Sequence, residues 1–182
     1  TADKDRTPPK PDTRKILLPV GPVVVFGASN FPFAFSTAGG DTASALASGS
    51  TVVIKGHSAH ARTSGLVHEA IYAAIKKAGM PEYTVQHVLG SVNTVGKALV
   101  QHPAAAAVGF TGSFAGGKAL WDLANQRERP IPVFAEMSSI NPVVFLPDTL
   151  QQNAVALAKT YAGSITLGVG QFCTNPGILL AI

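Results

Sequence analysis

The chain has 182 residues and a formal net charge of +4, with 46% hydrophobic and only 13% charged residues. That length can bury the core of one domain and the beginning of another. The charged share is roughly half that of an ordinary soluble domain, which leaves surface to be covered by a partner subunit or further polypeptide. Five basic residues (Lys4, Arg6, Lys10, Arg14, Lys15) fall in the first fifteen positions, and no basic run interleaved with aromatics follows, so nucleic-acid binding is excluded. The single cysteine forms no internal disulfide, and the cytoplasm is the expected compartment. The uncharged stretch Ile16 to Gly40 is broken by Pro19, Pro22, Pro32, Gly21 and Gly27, so it does not read as a membrane span. No signal-peptide pattern precedes it.

In chain order, residues 1–13 carry Pro8, Pro9 and Pro11 among charges and read as an extended arm. Short β-branched runs then predict strands at 22–26, 51–55, 84–89, 106–110 and 131–135. Helices are predicted between them, at 33–48, 63–78, 94–101 and 115–126. The clearest is 63–78, where Leu66, Val67, Ala70, Ile71, Ala74 and Ile75 share a face, Ser64 is the candidate cap, and Gly79 and Pro81 end the helix. Such alternation implies α/β architecture, a doubly wound and mainly parallel sheet covered on both faces. Ligands of such sheets bind at the carboxyl ends of the strands. After Pro142 come a strand (142–146), a helix (151–161), a glycine-rich passage and an apolar strand (177–182). The boundaries expected are an arm at 1–13, a nucleotide-binding domain at 14–142, and the start of a largely absent second domain at 143–182.

The chemistry-bearing stretches follow the predicted strands. No GxGxxG follows the first of them, so the usual dinucleotide fingerprint fails. "GASNFPF" (27–33) stands there instead, with Asn30 either capping a turn or pointing its amide into a cleft. "VIKGHSAH" (53–60) puts Lys55 at a strand end, where it either closes the strand or reaches a ribose or phosphate. His57 and His60 lack neighbouring cysteines or carboxylates and do not read as metal ligands. In "GFTGSFAGGKAL" (109–120), Ser113 is a helix cap, and the backbone N–H groups around Gly112 and Ser113 suit a phosphate. In "FAEMSSINP" (134–142), Glu136 is either a surface carboxylate or a general base. "GQFCTNPG" (170–177) holds Cys173, either a small buried hydrophobe or a nucleophile.

Taken in order, "SNFPF", "VIKGH", "GFTGS", "AEMSSINP" and "GQFCTNPG" resemble the aldehyde dehydrogenase superfamily. The separations between Asn30, Lys55, Ser113, Glu136 and Cys173 are 25, 58, 23 and 37 residues. The resemblance implies a Rossmann-like nucleotide-binding domain, a catalytic domain and an oligomerisation extension, hence a homo-oligomer. It implies Cys173 as nucleophile, Glu136 as general base and Asn30 as the amide that holds the oxyanion, with aldehyde oxidised to acid through a thiohemiacetal and a thioester on the cysteine. Lys55, Ser58, Gly112 and Ser113 correspond to cofactor contacts, and no metal is implied. Ser58 stands where many NAD-preferring members carry an acidic residue that would repel a 2′-phosphate, so NADP is expected, with NAD possible. Ser138 and Ser139 replace a common glycine pair and crowd the approach of a nicotinamide ring. The wording of the motifs is similar to the branch of 2-oxoglutarate semialdehyde (2,5-dioxopentanoate) and NADP-dependent fatty aldehyde dehydrogenases, with the first substrate expected. The alternatives are a fatty aldehyde substrate, a non-catalytic nucleotide-binding piece, or a cysteine esterase using the same thiol.

Overall fold

The computed structural model of the protein describes residues 2–181; Thr1 of the arm and Ile182 of the last strand lie outside the described residues. The fold is organised by β1 (Val23–Phe26), whose four side chains are all buried. A strand buried on both faces belongs at the centre of a parallel sheet. β2 (Val52–Lys55), β3 (Val85–Val88), β4 (Ala107–Gly112) and β5 (Val133–Met137) join it in the order β3-β2-β1-β4-β5, every pairing parallel. The alternation of a strand sends Val23 and Val25 to one face and Val24 and Phe26 to the other. Val23 and Val25 pack with Val52, Ile54, Val85 and Ile75; Val24 and Phe26 pack with Val100, Val108, Leu120 and Ala124.

The first of these layers is closed by α1 (Gly40–Ala47) and α2 (Ala61–Lys77), the second by α3 (Lys97–Gln101) and α4 (Phe114–Asn125). α2 ends as its sequence predicts: Gly79 has φ +66° and the Met80 N–H bonds back to the Ile75 carbonyl at 3.1 Å, the wrap that satisfies the last carbonyls of a helix.

Four expectations need correction. The helix expected at 33–48 begins only at Gly40, because residues 31–39 turn back over the end of β1, with the Ala28 N–H bonded to the Phe35 carbonyl at 2.7 Å. Ser64 caps nothing. It lies inside α2, fully buried, with its hydroxyl bridging Thr37 Oγ1 (2.6 Å) and His87 Nε2 (2.7 Å). The helix expected at 151–161 runs from Pro147 to Thr166 as α5, since proline suits a first helical position, and is kinked at Asn153. The arm is not wholly extended, because Asp3 and Lys10 pair in an antiparallel bridge.

After β5 the chain builds a separate two-stranded parallel sheet, β6 (Pro142–Phe145) with β7 (Ile178–Ala181). α5 packs on it through an edge-on contact of Tyr161 with Phe145, ring centroids 5.9 Å apart. The Gly177 N–H bonds to the Ile140 carbonyl at 2.8 Å. The passage carrying Cys173 is therefore returned to the end of β5.

Candidate active site

The strand order reverses between β1 and β4, and the crevice at their carboxyl ends is where such sheets bind ligands. A cleft of about 680 Å³ opens there, and Lys55, Ser58, Gly112 and Ser113 all line it. Lys55, in register with Phe26 and Val88, is 7% exposed, and burial lowers its pKa from the ordinary lysine value. His57 also lines the cleft. Its pKa is lowered by burial first, then by His60 and Lys55. Its Nδ1 accepts the Ala59 N–H at 3.1 Å, which assigns the ring proton to Nε2 in the neutral form.

Ser113 caps α4 by accepting the Gly116 N–H at 3.2 Å, and it lines the cleft as well. A Cβ at Gly112 would stand 2.6 Å from Cζ of Phe110, and one at Gly116 3.1 Å from it. The Phe110 ring thus packs closely over Gly112 and the first turn of α4 at the cleft. A lysine, a hydroxyl and a glycine-lined helix start form a donor set that fits a dinucleotide phosphate.

Glu136 lies on β5 opposite Thr111 of β4. A cavity of about 410 Å³ brings Asn30, Glu136 and Cys173 together, and it shares Thr111, Gly112 and Ser113 with the large cleft. A second cavity, of about 390 Å³, is lined by Cys173 and Glu136 along with Asp41, Asn141 and Thr174. Thiol and carboxylate thus stand between two openings, one continuous with the cleft and one away from it. Burial raises the pKa of Asp41 above the usual carboxylate value.

The loop holding the half-buried Cys173 is pinned from two sides. Asn30 Nδ2 donates to the Gln171 carbonyl at 2.6 Å, leaving its second proton available to another acceptor. Beside it the rings of Phe31 and Phe172 stack at 4.5 Å. On the other side, Asn141 Nδ2 donates to the carbonyls of Cys173 (2.6 Å) and Asn175 (2.9 Å), and the Ser139 hydroxyl also donates to the Cys173 carbonyl. Asn175 Nδ2 in turn donates to the Leu167 carbonyl at 2.9 Å. Sequence reasoning missed Asn141 and Asn175. Their signal is the repeated Asn-Pro pair, Asn141-Pro142 and Asn175-Pro176, an amide that can bond backbone beside a residue that fixes the chain.

Comparison with known proteins bears on the same residues. Over 182 residues the chain is 58% identical to alpha-ketoglutaric semialdehyde dehydrogenase 2 of Azospirillum brasilense, covering 100% of this chain and 35% of that protein. It is 51% identical over 183 residues to alpha-ketoglutaric semialdehyde dehydrogenase of Acinetobacter baylyi, covering 100% and 34%. The chain therefore spans about a third of the length of these curated relatives. Among solved structures, an NAD-dependent benzaldehyde dehydrogenase from Corynebacterium glutamicum superposes with a TM-score of 0.72 at 28% identity, covering 90% of this chain and 33% of that one. A proline utilization A mutant from Bradyrhizobium japonicum gives 0.76 at 27% identity, covering 90% and 16%. The family model for aldehyde dehydrogenases matches residues 4–181, nearly every position described above, and the chain belongs to the aldehyde dehydrogenase family.

Proposed function

We propose that this chain carries the nucleophile, the base and the nucleotide cleft of an enzyme that oxidises 2-oxoglutarate semialdehyde (2,5-dioxopentanoate) to 2-oxoglutarate with NADP in preference to NAD. The observation that carries the reading is the single cavity lined by Asn30, Glu136 and Cys173, continuous with the cleft of Lys55 and Ser113. Two relatives identical to this chain at more than half of the aligned positions support the substrate. The neutral Ser58 in the cleft supports NADP, since it does not repel a 2′-phosphate.

The Cys173 thiolate attacks the aldehyde carbon, which enters through the cavity beside Asp41 and Asn141. The oxygen that becomes negative is held by the free Nδ2 proton of Asn30 and the backbone N–H of Cys173. Lys55, Ser58, Gly112 and Ser113 would hold the nicotinamide dinucleotide, which when bound supplies the hydride acceptor. Glu136 takes a proton from the water that releases the acyl group from Sγ. In this reading residues 14–142 form the nucleotide-binding unit, 143–182 open the catalytic unit, and the whole protein is a cytoplasmic homo-oligomer.

The test is to mix the full-length protein with 2,5-dioxopentanoate and NADP and follow absorbance at the NADPH band. Turnover is expected, along with its loss in Cys173→Ala. No absorbance gain, or activity that survives Cys173→Ala, overturns the assignment.

A further inference from the structure

The connector between β5 and β6 does more than join two strands. Five residues after Glu136, the amide of Asn141 reaches across to the loop 32 residues further on and gives its two protons to the carbonyls of Cys173 and Asn175. The Ser139 hydroxyl donates to the same Cys173 carbonyl, and its oxygen shares one of those Asn141 N–H groups at the longer distance of 3.3 Å. On the far side, Asn30 holds the Gln171 carbonyl. Carbonyls 171, 173 and 175 are thus each held by a side chain from outside the loop. The peptide that lies between the first two carries the Cys173 N–H. Holding alternate carbonyls fixes the torsions between them, and with those the directions of that N–H and of the Cys173 Cα–Cβ bond.

Asn141 has φ +45°, a left-handed conformation that asparagine tolerates and glycine adopts freely. Its backbone and its side chain can therefore be tested apart. A residue kept only for its turn would be replaced by glycine without loss, whereas a residue kept for its amide would not.

We propose that Asn141, assisted by Ser139, is a positioning residue that clamps the nucleophile loop to the connector leaving the Glu136 strand, so that thiol, oxyanion donor and carboxylate share one fixed frame. The proposal rests on the functional reading for what the frame does, but not for the clamp itself. Asn141 is a positioning residue and not a catalytic one because its amide is directed at the carbonyls of the nucleophile loop.

The experiment uses full-length protein carrying Asn141→Gly and Asn141→Asp. In Asn141→Gly, kcat falls about ten- to a hundredfold, the scale for misplacing a reacting group by about 1 Å, while KM and the dissociation constant for NADP change less than about threefold. Asn141→Asp loses more, because its carboxylate faces two carbonyl acceptors. By hydrogen exchange, peptides covering 170–177 exchange at least about fivefold faster in Asn141→Gly, with peptides of the five-stranded sheet unchanged. Wild-type kcat and wild-type exchange in Asn141→Gly overturn the proposal, as does faster exchange spread over the whole sheet. If Asn141→Gly does not fold, Ser139→Ala decides: a rise in exchange at 170–177 of about threefold or more supports the clamp, and no rise overturns it. If the wild-type protein oxidises no aldehyde, the functional reading fails, and the exchange measurement alone then decides the clamp.

Discussion

Replacing Gly27 with alanine tests whether the turn after β1 sets the position of Asn30. The added Cβ would stand 2.5 Å from Oγ and 2.6 Å from Cα of Ser36, where ordinary contact begins at 3.4 Å. A hydroxyl can rotate away, but a Cα cannot, so the backbone at Ser36 has to retreat by about 0.8 Å. Ser36 is buried, and overpacking of this kind costs about 1–3 kcal/mol. The retreat does not stay local. Residues 28–35 form one turn held by the bond from the Ala28 N–H to the Phe35 carbonyl, and that turn carries Asn30 and the Phe31 ring stacked on Phe172. In the proposed reading Asn30 meets the reacting oxygen, and a displacement approaching 1 Å at such a group costs up to about a hundredfold in rate. The expected result in the full-length protein is a lower urea midpoint together with a ten- to hundredfold loss of kcat, again on that scale of about 1 Å. Adding Ser36→Gly relieves the clash with Oγ but not that with Cα, so only part of the loss returns. Gly27→Ala with the wild-type midpoint and the wild-type kcat would refute the reasoning.

Two further outcomes follow from the cleft and from two half-buried histidines. Ser58→Glu places a carboxylate in the cleft beside Lys55, so the dissociation constant for NADP rises about tenfold or more while that for NAD changes little; equal changes for both, measured by calorimetry, would remove Ser58 from cofactor choice. His57 and His87 both titrate below the ordinary histidine value, burial being the first cause in each, followed for His87 by His68. A depressed folded-state pKa means that the unfolded chain binds more protons. Their contribution to stability is therefore full above about 6.5 and is lost as pH falls through the lowered folded values. Asp41, raised by burial, acts with the opposite sign, so the measurement belongs in an Asp41→Asn background. There the urea midpoint falls between about pH 7 and pH 5, and the fall shrinks in His87→Gln; an undiminished fall would mean that His87 is not the group titrating.

How much of this was legible in the residues can be argued from particular cases. All five strands of the large sheet could be read, because a β-branched run such as "VVVF" buried on both faces leaves a signal that no helix shares. The cap at Ser113 could be read too, since the hydroxyl that stops one element also starts the next. The shortened first helix could not. "FPFAFSTAGG" has helical apolar spacing, and what unwinds it is the close approach of Ser36 to Gly27, a tertiary contact with no local trace. Ser64 was misread for a related reason: a serine near a helix start suits a cap, and its actual partners, Thr37 and His87, come from elements remote in sequence. At the site, Asn30, Glu136 and Cys173 are singled out by the chemistry of their side chains, and the fold brings them to the lining of one cavity. Asn141 carries no such mark. Its importance lies in which carbonyls it reaches, and those are fixed only when the chain folds back at Gly177 onto Ile140.

The connector itself has a mechanical consequence. Ser138 and Asn141 both take left-handed backbone angles, φ +68° and +45°, where glycine would sit without cost. Residues with a Cβ have fewer unfolded alternatives to give up than glycine does. With the Asn141 amide bonded across to the Cys173 and Asn175 carbonyls, the span from carboxylate to thiol is built as a strut and not as a tether. In the proposed reading, groups braced this way hold one spacing, and adaptation to differently shaped ligands falls to the open side of the cavity.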